Sequence, residues 1–145
     1  MALADHSGAR VALSAGELEA VEHEFTQFCE LLAEQADLRF ADGPALAAVA
    51  ANSNGAPLWV APGLALELSL TQLQQFAGQL LVLRSRSGEQ CLHCSYRGWG
   101  ALTASQQRLL QTHFTSITTH PLHTIERLTG GSIGLLVAEV HSPHA

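Results

Sequence analysis

Three capping-box signatures set the framework of this chain, because each marks a point where a helix can begin. A capping box pairs a serine or threonine with a glutamate or glutamine three residues later, and each side chain accepts a hydrogen bond from the other residue's backbone N–H. The pairs are Ser14 with Glu17, Ser69 with Gln72, and Thr103 with Gln106. After the first pair, apolar residues recur at steps of three and four, which predicts a helix to about Ala36. The other two pairs predict helices that end near Gly78 and Phe114.

Short apolar segments between these helices are typical of strands. The candidates are residues 38–40, 58–61, 64–68, 80–84 and 91–95. A polar turn at residues 85–88 joins the last two into a predicted hairpin, and residues 44–51 predict one further short helix that begins at a proline. Helices and strands therefore alternate, which predicts an α/β layer architecture, with α+β as the alternative. The three capped helices, each followed by strands, indicate internal repetition.

Composition excludes several classes of protein. The 145 residues include seven arginines, no lysine and 13 acidic residues, and the net charge is −6, which opposes binding to nucleic acid or to anionic membrane surfaces. With 47% hydrophobic and 14% charged residues, the chain is predicted to fold as a single domain over residues 1–145 with a flexible tail at 141–145. No window approaches the roughly 20 apolar residues of a membrane helix. We therefore expect a cytoplasmic protein.

The cysteines do not form a predicted disulfide framework, because there are three of them and the chain is long. Cys91 and Cys94 flank His93 at a spacing used by metal and redox sites. In a strand, however, Cys91 and His93 point to one side and Cys94 to the other. We therefore interpret both thiols as buried core residues, and expect neither a metal nor a cofactor. Four further histidines are expected in solvent: His120, His123, His141 and His144.

A glycine turn near the C-terminus is the sharpest local feature. Gly130 and Gly131 allow positive φ and a close approach of a ligand to the backbone, and Ser132 can hydrogen-bond to a bound group. Glu126 and Glu139 are carboxylates that can pair with a guanidinium in a bidentate manner. Gly130, Gly131, Ser132 and Glu126 are thus the candidate binding residues. The alternating pattern on either side favours a simpler interpretation, in which a tight turn joins two strands and both carboxylates lie on solvated strand faces.

Residues 124–140, TIERLTGGSIGLLVAEV, resemble the terminal strand that carries the nucleophilic cysteine in arginine deiminase-related, amidinotransferase-type enzymes. In that family Gly-Gly-Ser is followed by an aliphatic residue, Arg, Cys and a short apolar run that ends in Ala-Glu. Here Gly134 and Leu135 stand at the Arg and Cys positions. Residues 76–90 and the helix opened by Thr103 match the family in the same order, and residues 122–128 resemble the strand that enters the glycine turn. The resemblance covers residues 66–140.

The resemblance implies a scaffold without its reactive group. Complete enzymes of this superfamily are five-fold pseudo-symmetric αβ propellers, so a partial αβ-propeller-like arrangement is expected here. Their reaction needs an attacking thiolate, a histidine that moves protons and carboxylates that hold the guanidinium. Leu135 offers no nucleophile, and we expect it to fill the floor of the former pocket. The resemblance therefore implies a non-catalytic relative that serves as a binding or regulatory module for a guanidino or amino-acid ligand.

Two alternatives stay open at this point. The chain can be a fragment of an active guanidino-modifying enzyme that another chain completes, or a structural oligomerisation domain with no ligand. We also expect a homodimer or a larger closed oligomer, because a partial propeller leaves apolar faces and strand edges that symmetry-related copies can bury.

Overall fold

The computed structural model describes residues 2–4, 10–34, 39–40, 56–61 and 64–137. The elements in chain order are β1 (Ala2–Ala4), β2 (Arg10–Ala12), α1 (Ala15–Glu34), β3 (Arg39–Phe40), β4 (Ala56–Ala61), β5 (Leu64–Leu68), α2 (Leu70–Gln74), β6 (Leu81–Arg84), β7 (Gln90–Ser95), α3 (Tyr96–Ala101), α4 (Ala104–His113), β8 (Ser116–His120) and α5 (His123–Thr129), followed by a 3₁₀ turn at Ile133–Leu135. The predicted helix at residues 44–51 and the predicted tail at 141–145 lie outside the described residues.

A four-stranded mixed sheet in the order β3-β6-β7-β8 forms the centre of the fold. β6 is antiparallel to both β3 and β7, whereas β7 and β8 are parallel. Parallel neighbours require a crossover, and α3 with α4 supplies it, so β6, β7, the two helices and β8 form one ββαβ unit. The predicted mixed α/β class is confirmed. The described residues do not form a propeller, because β1–β2 and β4–β5 pair into separate two-stranded sheets.

Two apolar cores lie on opposite faces of the central sheet, because successive strand side chains point to opposite sides. The α4-side core consists of Leu64, Leu66, Leu68, Ala77, Leu80, Val82, Leu92, Cys94, Leu102, Leu110 and Phe114. The α1-side core consists of Phe28, Leu81, Leu83, Leu122, Ile125 and Ile133. The sheet is therefore covered on both faces, and α1 and α5 pack together on the second of them.

The three predicted capping boxes are all formed. Ser14 and Glu17, for example, exchange backbone-to-side-chain hydrogen bonds of 3.0 and 3.1 Å at the start of α1, and the boxes of α2 and α4 have the same two bonds. The predicted end of α2 at Gly78 is wrong, because the helix ends at Gln74 and the chain turns at Phe76 with φ 66°. Of the helices in the described residues, none is both long and apolar enough to span a membrane.

The segment predicted as a strand at residues 122–128 is a helix, α5. The carboxylate of Glu24, on α1, accepts hydrogen bonds of 3.0 to 3.1 Å from the backbone N–H groups of Thr124 and Ile125. These N–H groups are free at a helix N-terminus and need an acceptor, so a carboxylate from a distant helix stabilises α5 where the resemblance implied a strand. Gly130 ends α5 in the left-handed conformation, with φ 70°. The predicted terminal strand begins instead as the 3₁₀ turn, and residues 138–140 lie outside the described residues.

Candidate functional site

A buried carboxylate lies where α5 meets the glycine turn. Glu126, on α5, is 2% exposed, and the buried Ser132 donates its hydroxyl proton to Glu126 Oε2 at 2.6 Å. The backbone N–H of Ser132 donates to Gln79 Oε1 at 3.0 Å. Gln79 precedes β6, so the turn after α5 is tied to the central sheet on one side and to α5 on the other. A bond this short to a carboxylate is charge-assisted, which makes the contact one of the stronger kinds.

The glycine turn itself is narrow. The N–H of Gly130 donates to the carbonyl of Glu126 at 3.0 Å, and the N–H of Gly131 donates to Thr129 Oγ1 at 3.1 Å. A Cβ atom added to Gly131 would lie 2.6 Å from Leu135 Cδ1, so the leucine side chain lies directly against this glycine. The side chain of Leu135 thus covers the backbone at Gly131.

The four candidate residues lie together in the structure. Glu126 and Ser132 are in direct contact, and Gly130 and Gly131 join them. The expectation that Glu126 lies on a solvated strand face is wrong, because the residue lies on a helix and is buried. Glu139, the second candidate carboxylate, lies outside the described residues.

Leu135 does not fill a pocket floor as expected. The 3₁₀ turn directs its side chain outward, and it is 59% exposed, while Ile133 takes the buried position in the α1-side core. Glu126 Oε1 is buried and accepts no hydrogen bond within the described residues. A buried carboxylate oxygen without a donor is energetically costly.

A second buried polar group was not predicted from the sequence. His93, on β7, and His120, at the end of β8, are both fully buried, and His93 Nδ1 lies 3.0 Å from His120 Nε2. Burial lowers the pKa of both imidazoles to about 4, and the proximity of His93 contributes to the lowering at His120. The expectation that His120 is solvated is therefore wrong. The β-branched run before it, Ile117 to Thr119, was the signal for the strand that buries it.

The cysteines follow the predicted strand geometry. Cys91 and Cys94 are both buried, and Cys94 lies in the α4-side core whereas His93 meets His120 on the other face of the sheet. Burial raises the pKa of the Cys94 thiol to about 12, so that it stays protonated at neutral pH. Within the described part of the chain, no three histidine, cysteine or acidic side chains come together as possible metal ligands.

Comparison with known families identifies the class of protein. A family model described as N,N dimethylarginine dimethylhydrolase, eukaryotic, matches residues 65–142, a range that contains the ββαβ unit and the Glu126–Ser132 contact. No curated protein and no solved structure gives a significant match. The class is thus the guanidino-modifying, amidinotransferase-like superfamily. Within that superfamily, the chain belongs to the dimethylarginine dimethylhydrolase family.

Proposed function

We propose that this chain is a non-catalytic member of its family, which keeps part of the scaffold and serves as a binding or regulatory module. The observation that carries the proposal is Leu135, at the position where the resemblance places the nucleophilic cysteine. A leucine has no group that can attack a guanidinium carbon, and positioning alone does not replace a covalent nucleophile. The Leu135 side chain also lies against Gly131, where the scaffold would bring a ligand close to the backbone.

The ligand that this site fits best is a guanidinium compound, and dimethylarginine is the one that the family description names. Glu126 Oε1 is the buried acceptor that lacks a donor, while Ser132 holds the other carboxylate oxygen in place. A guanidinium N–H donor at Oε1 would satisfy that atom and neutralise the buried charge. Leu135 lies against Gly131, so a ligand that contacts the backbone of the glycine turn would displace this exposed side chain.

The test is a titration of the protein with dimethylarginine, followed by the backbone amide NMR shifts of residues 130–132. We expect saturable shifts in the natural protein and tighter binding in Leu135→Ala, which uncovers Gly131. Glu126→Gln should weaken binding by about tenfold or more, because it removes the charge that pairs with the ligand. Glu22→Gln, at an exposed acid of α1, is the matched control and should bind as the natural protein does.

Citrulline is the control ligand, because its ureido group has a similar shape and carries no charge. Equal shifts with citrulline and dimethylarginine would contradict a carboxylate–guanidinium contact. An absence of shifts at residues 130–132 in both the natural protein and Leu135→Ala would contradict a ligand at this turn.

A second candidate function is a fragment of an active guanidino-modifying enzyme, in which another chain supplies the cysteine and the remaining blades. The observation in its favour is the number of large apolar side chains that the described residues leave in solvent. They are Phe25, Leu70, Tyr96, Leu109 and Leu135, each more than 40% exposed. We infer that the ββαβ unit is one blade of a partial propeller, and these side chains are candidates for the faces that further blades would cover. A structural oligomerisation domain would use the same surfaces without a ligand.

We expect a homodimer or a larger closed oligomer at micromolar concentration, with a largely apolar interface. Size exclusion coupled to light scattering measures this directly. Phe25→Gln alters α1 on one face of the sheet and Leu109→Gln alters α4 on the other, so the variant that dissociates identifies the face that pairs. A natural protein that stays monomeric at micromolar concentration would contradict the prediction.

A further inference from the structure

The His93–His120 pair joins two neighbouring parallel strands on the α1-side face of the sheet. His120 pairs in register with Ser95 and His93 with Thr118, so the two imidazoles are diagonal neighbours on one face. Their ring planes are within 20° of each other, with centroids 5.3 Å apart. Phe28, on α1, covers His120 with an edge-on contact at a centroid distance of 4.8 Å. α1 therefore covers the His120 side of the pair through Phe28.

The inner nitrogens hydrogen-bond to each other, but the outer ones do not. His93 Nε2 and His120 Nδ1 are buried and have no partner within the described residues. In the neutral pair, one outer nitrogen is an N–H and the other carries a lone pair. Uptake of one proton turns both into N–H donors and adds a full positive charge. The buried pair has no acceptor for either donor, so the charged form is strongly disfavoured while α1 stays closed.

The charged groups on the surrounding elements do not compensate this charge. Glu24 on α1 is engaged by the N–H groups at the start of α5. Glu126 on α5 is bonded to Ser132 through Oε2, and its Oε1 forms no hydrogen bond with either outer imidazole nitrogen, since none of these three atoms has a partner within the described residues. The strands beside the pair carry Cys91 on β7 and Arg84 on β6, and neither residue is a carboxylate. His123 and Arg127 of α5 are exposed.

We propose that the His93–His120 pair is an acid-sensitive latch that holds α1 on the sheet. When the pair takes up a proton, both outer nitrogens must reach water, and Phe28 has to leave His120 for that to happen. The movement of α1 exposes the α1-side core. This proposal is independent of any ligand at the glycine turn.

The direction of the pH effect follows from the difference in proton affinity between the two states. The closed state holds the pKa of both imidazoles near 4, whereas solvated imidazoles have a pKa near 6.5. The open state therefore binds more protons between these values, and opening becomes more favourable as the pH falls through this window. The equilibrium constant for opening should increase by about tenfold for each unit that the pH falls and for each proton taken up. This increase levels off below pH 4.

The test is amide hydrogen exchange of the full chain between pH 7 and pH 4, corrected for intrinsic exchange rates. We expect the protection of α1 to fall by at least tenfold over this range, while α4, on the opposite face, keeps most of its protection. The double variant His93→Gln/His120→Gln should lose this dependence, and His23→Gln, at an exposed histidine of α1, should retain it. An unchanged dependence in the double variant would overturn the proposal, since it would assign the effect to carboxylates such as Glu24.

A second measurement covers the case in which the double variant does not fold. Imidazole NMR signals of the natural protein should show that both rings stay neutral while α1 is protected and become protonated as its protection is lost. Rings that titrate near pH 6.5 with α1 still protected would overturn the latch. A simultaneous loss of protection in α1 and α4 would also overturn the latch, because it would show that the whole domain unfolds.

Discussion

Gly98→Ala is expected to destabilise the protein by about 1–3 kcal/mol, because the added methyl group would overpack the site. A Cβ atom at this position would lie 2.7 Å from the carbonyl oxygen of Phe76 and 3.2 Å from Ser95 Oγ. The Phe76 carbonyl is not free to move. The Phe76 N–H donates to the Leu73 carbonyl, and the Phe76 carbonyl accepts from the N–H of Gln79. The next residue, Ala77, donates its N–H to the Gln72 carbonyl, so the backbone on both sides of this carbonyl is held.

Gly100→Ala is the matched control, because it lies in the same helix, α3, and a Cβ atom there meets nothing within 4 Å. Alanine is the better helix former, so this variant should be more stable by up to about 1 kcal/mol. Urea unfolding of both variants measures the contrast. Equal stabilities for the two variants would show that α3 is not packed against Phe76 as described.

Glu24→Ala is expected to cost about 2–3 kcal/mol of unfolding free energy, because it leaves two backbone N–H groups at the start of α5 without their acceptor. The carboxylate accepts from Thr124 and Ile125, and the bond to Ile125 is buried. Glu24→Gln keeps one acceptor oxygen and should therefore lose less unfolding free energy than Glu24→Ala.

Glu22→Ala removes an exposed glutamate from the same helix and should change stability by less than about 0.5 kcal/mol. Far-UV circular dichroism during urea unfolding gives all three free energies. If Glu24→Ala and Glu22→Ala were equally stable, α5 would not depend on α1 for its N-terminal cap.

Local signals predicted the parts of the fold whose partners are close in sequence. A capping box needs two residues three apart, and all three boxes formed at the predicted places. The hairpin of β6 and β7 was predicted for the same reason, since its turn is four residues long and contains Gly88 with φ 90°.

Features that depend on distant partners were missed. α5 is capped by a carboxylate a hundred residues away, and no local pattern indicates such a contact. The pairing of His93 with His120 depends on the parallel register of β7 and β8, which the sequence does not specify. The candidate residues around the glycine turn are close in sequence and lie together in the structure, but the burial of Glu126 follows from a helix that was predicted as a strand. The outward direction of Leu135 likewise follows from the 3₁₀ turn.

The most direct test of a non-catalytic role is an assay for the conversion of dimethylarginine to citrulline at high protein concentration and long incubation. The account predicts no citrulline above the buffer blank, with arginine as a second substrate giving the same result, because Leu135 and Gly134 provide no nucleophile. Turnover that elutes with the protein and is lost in Ser132→Ala or Cys91→Ala would contradict the account, since it would reveal a different nucleophile in this chain.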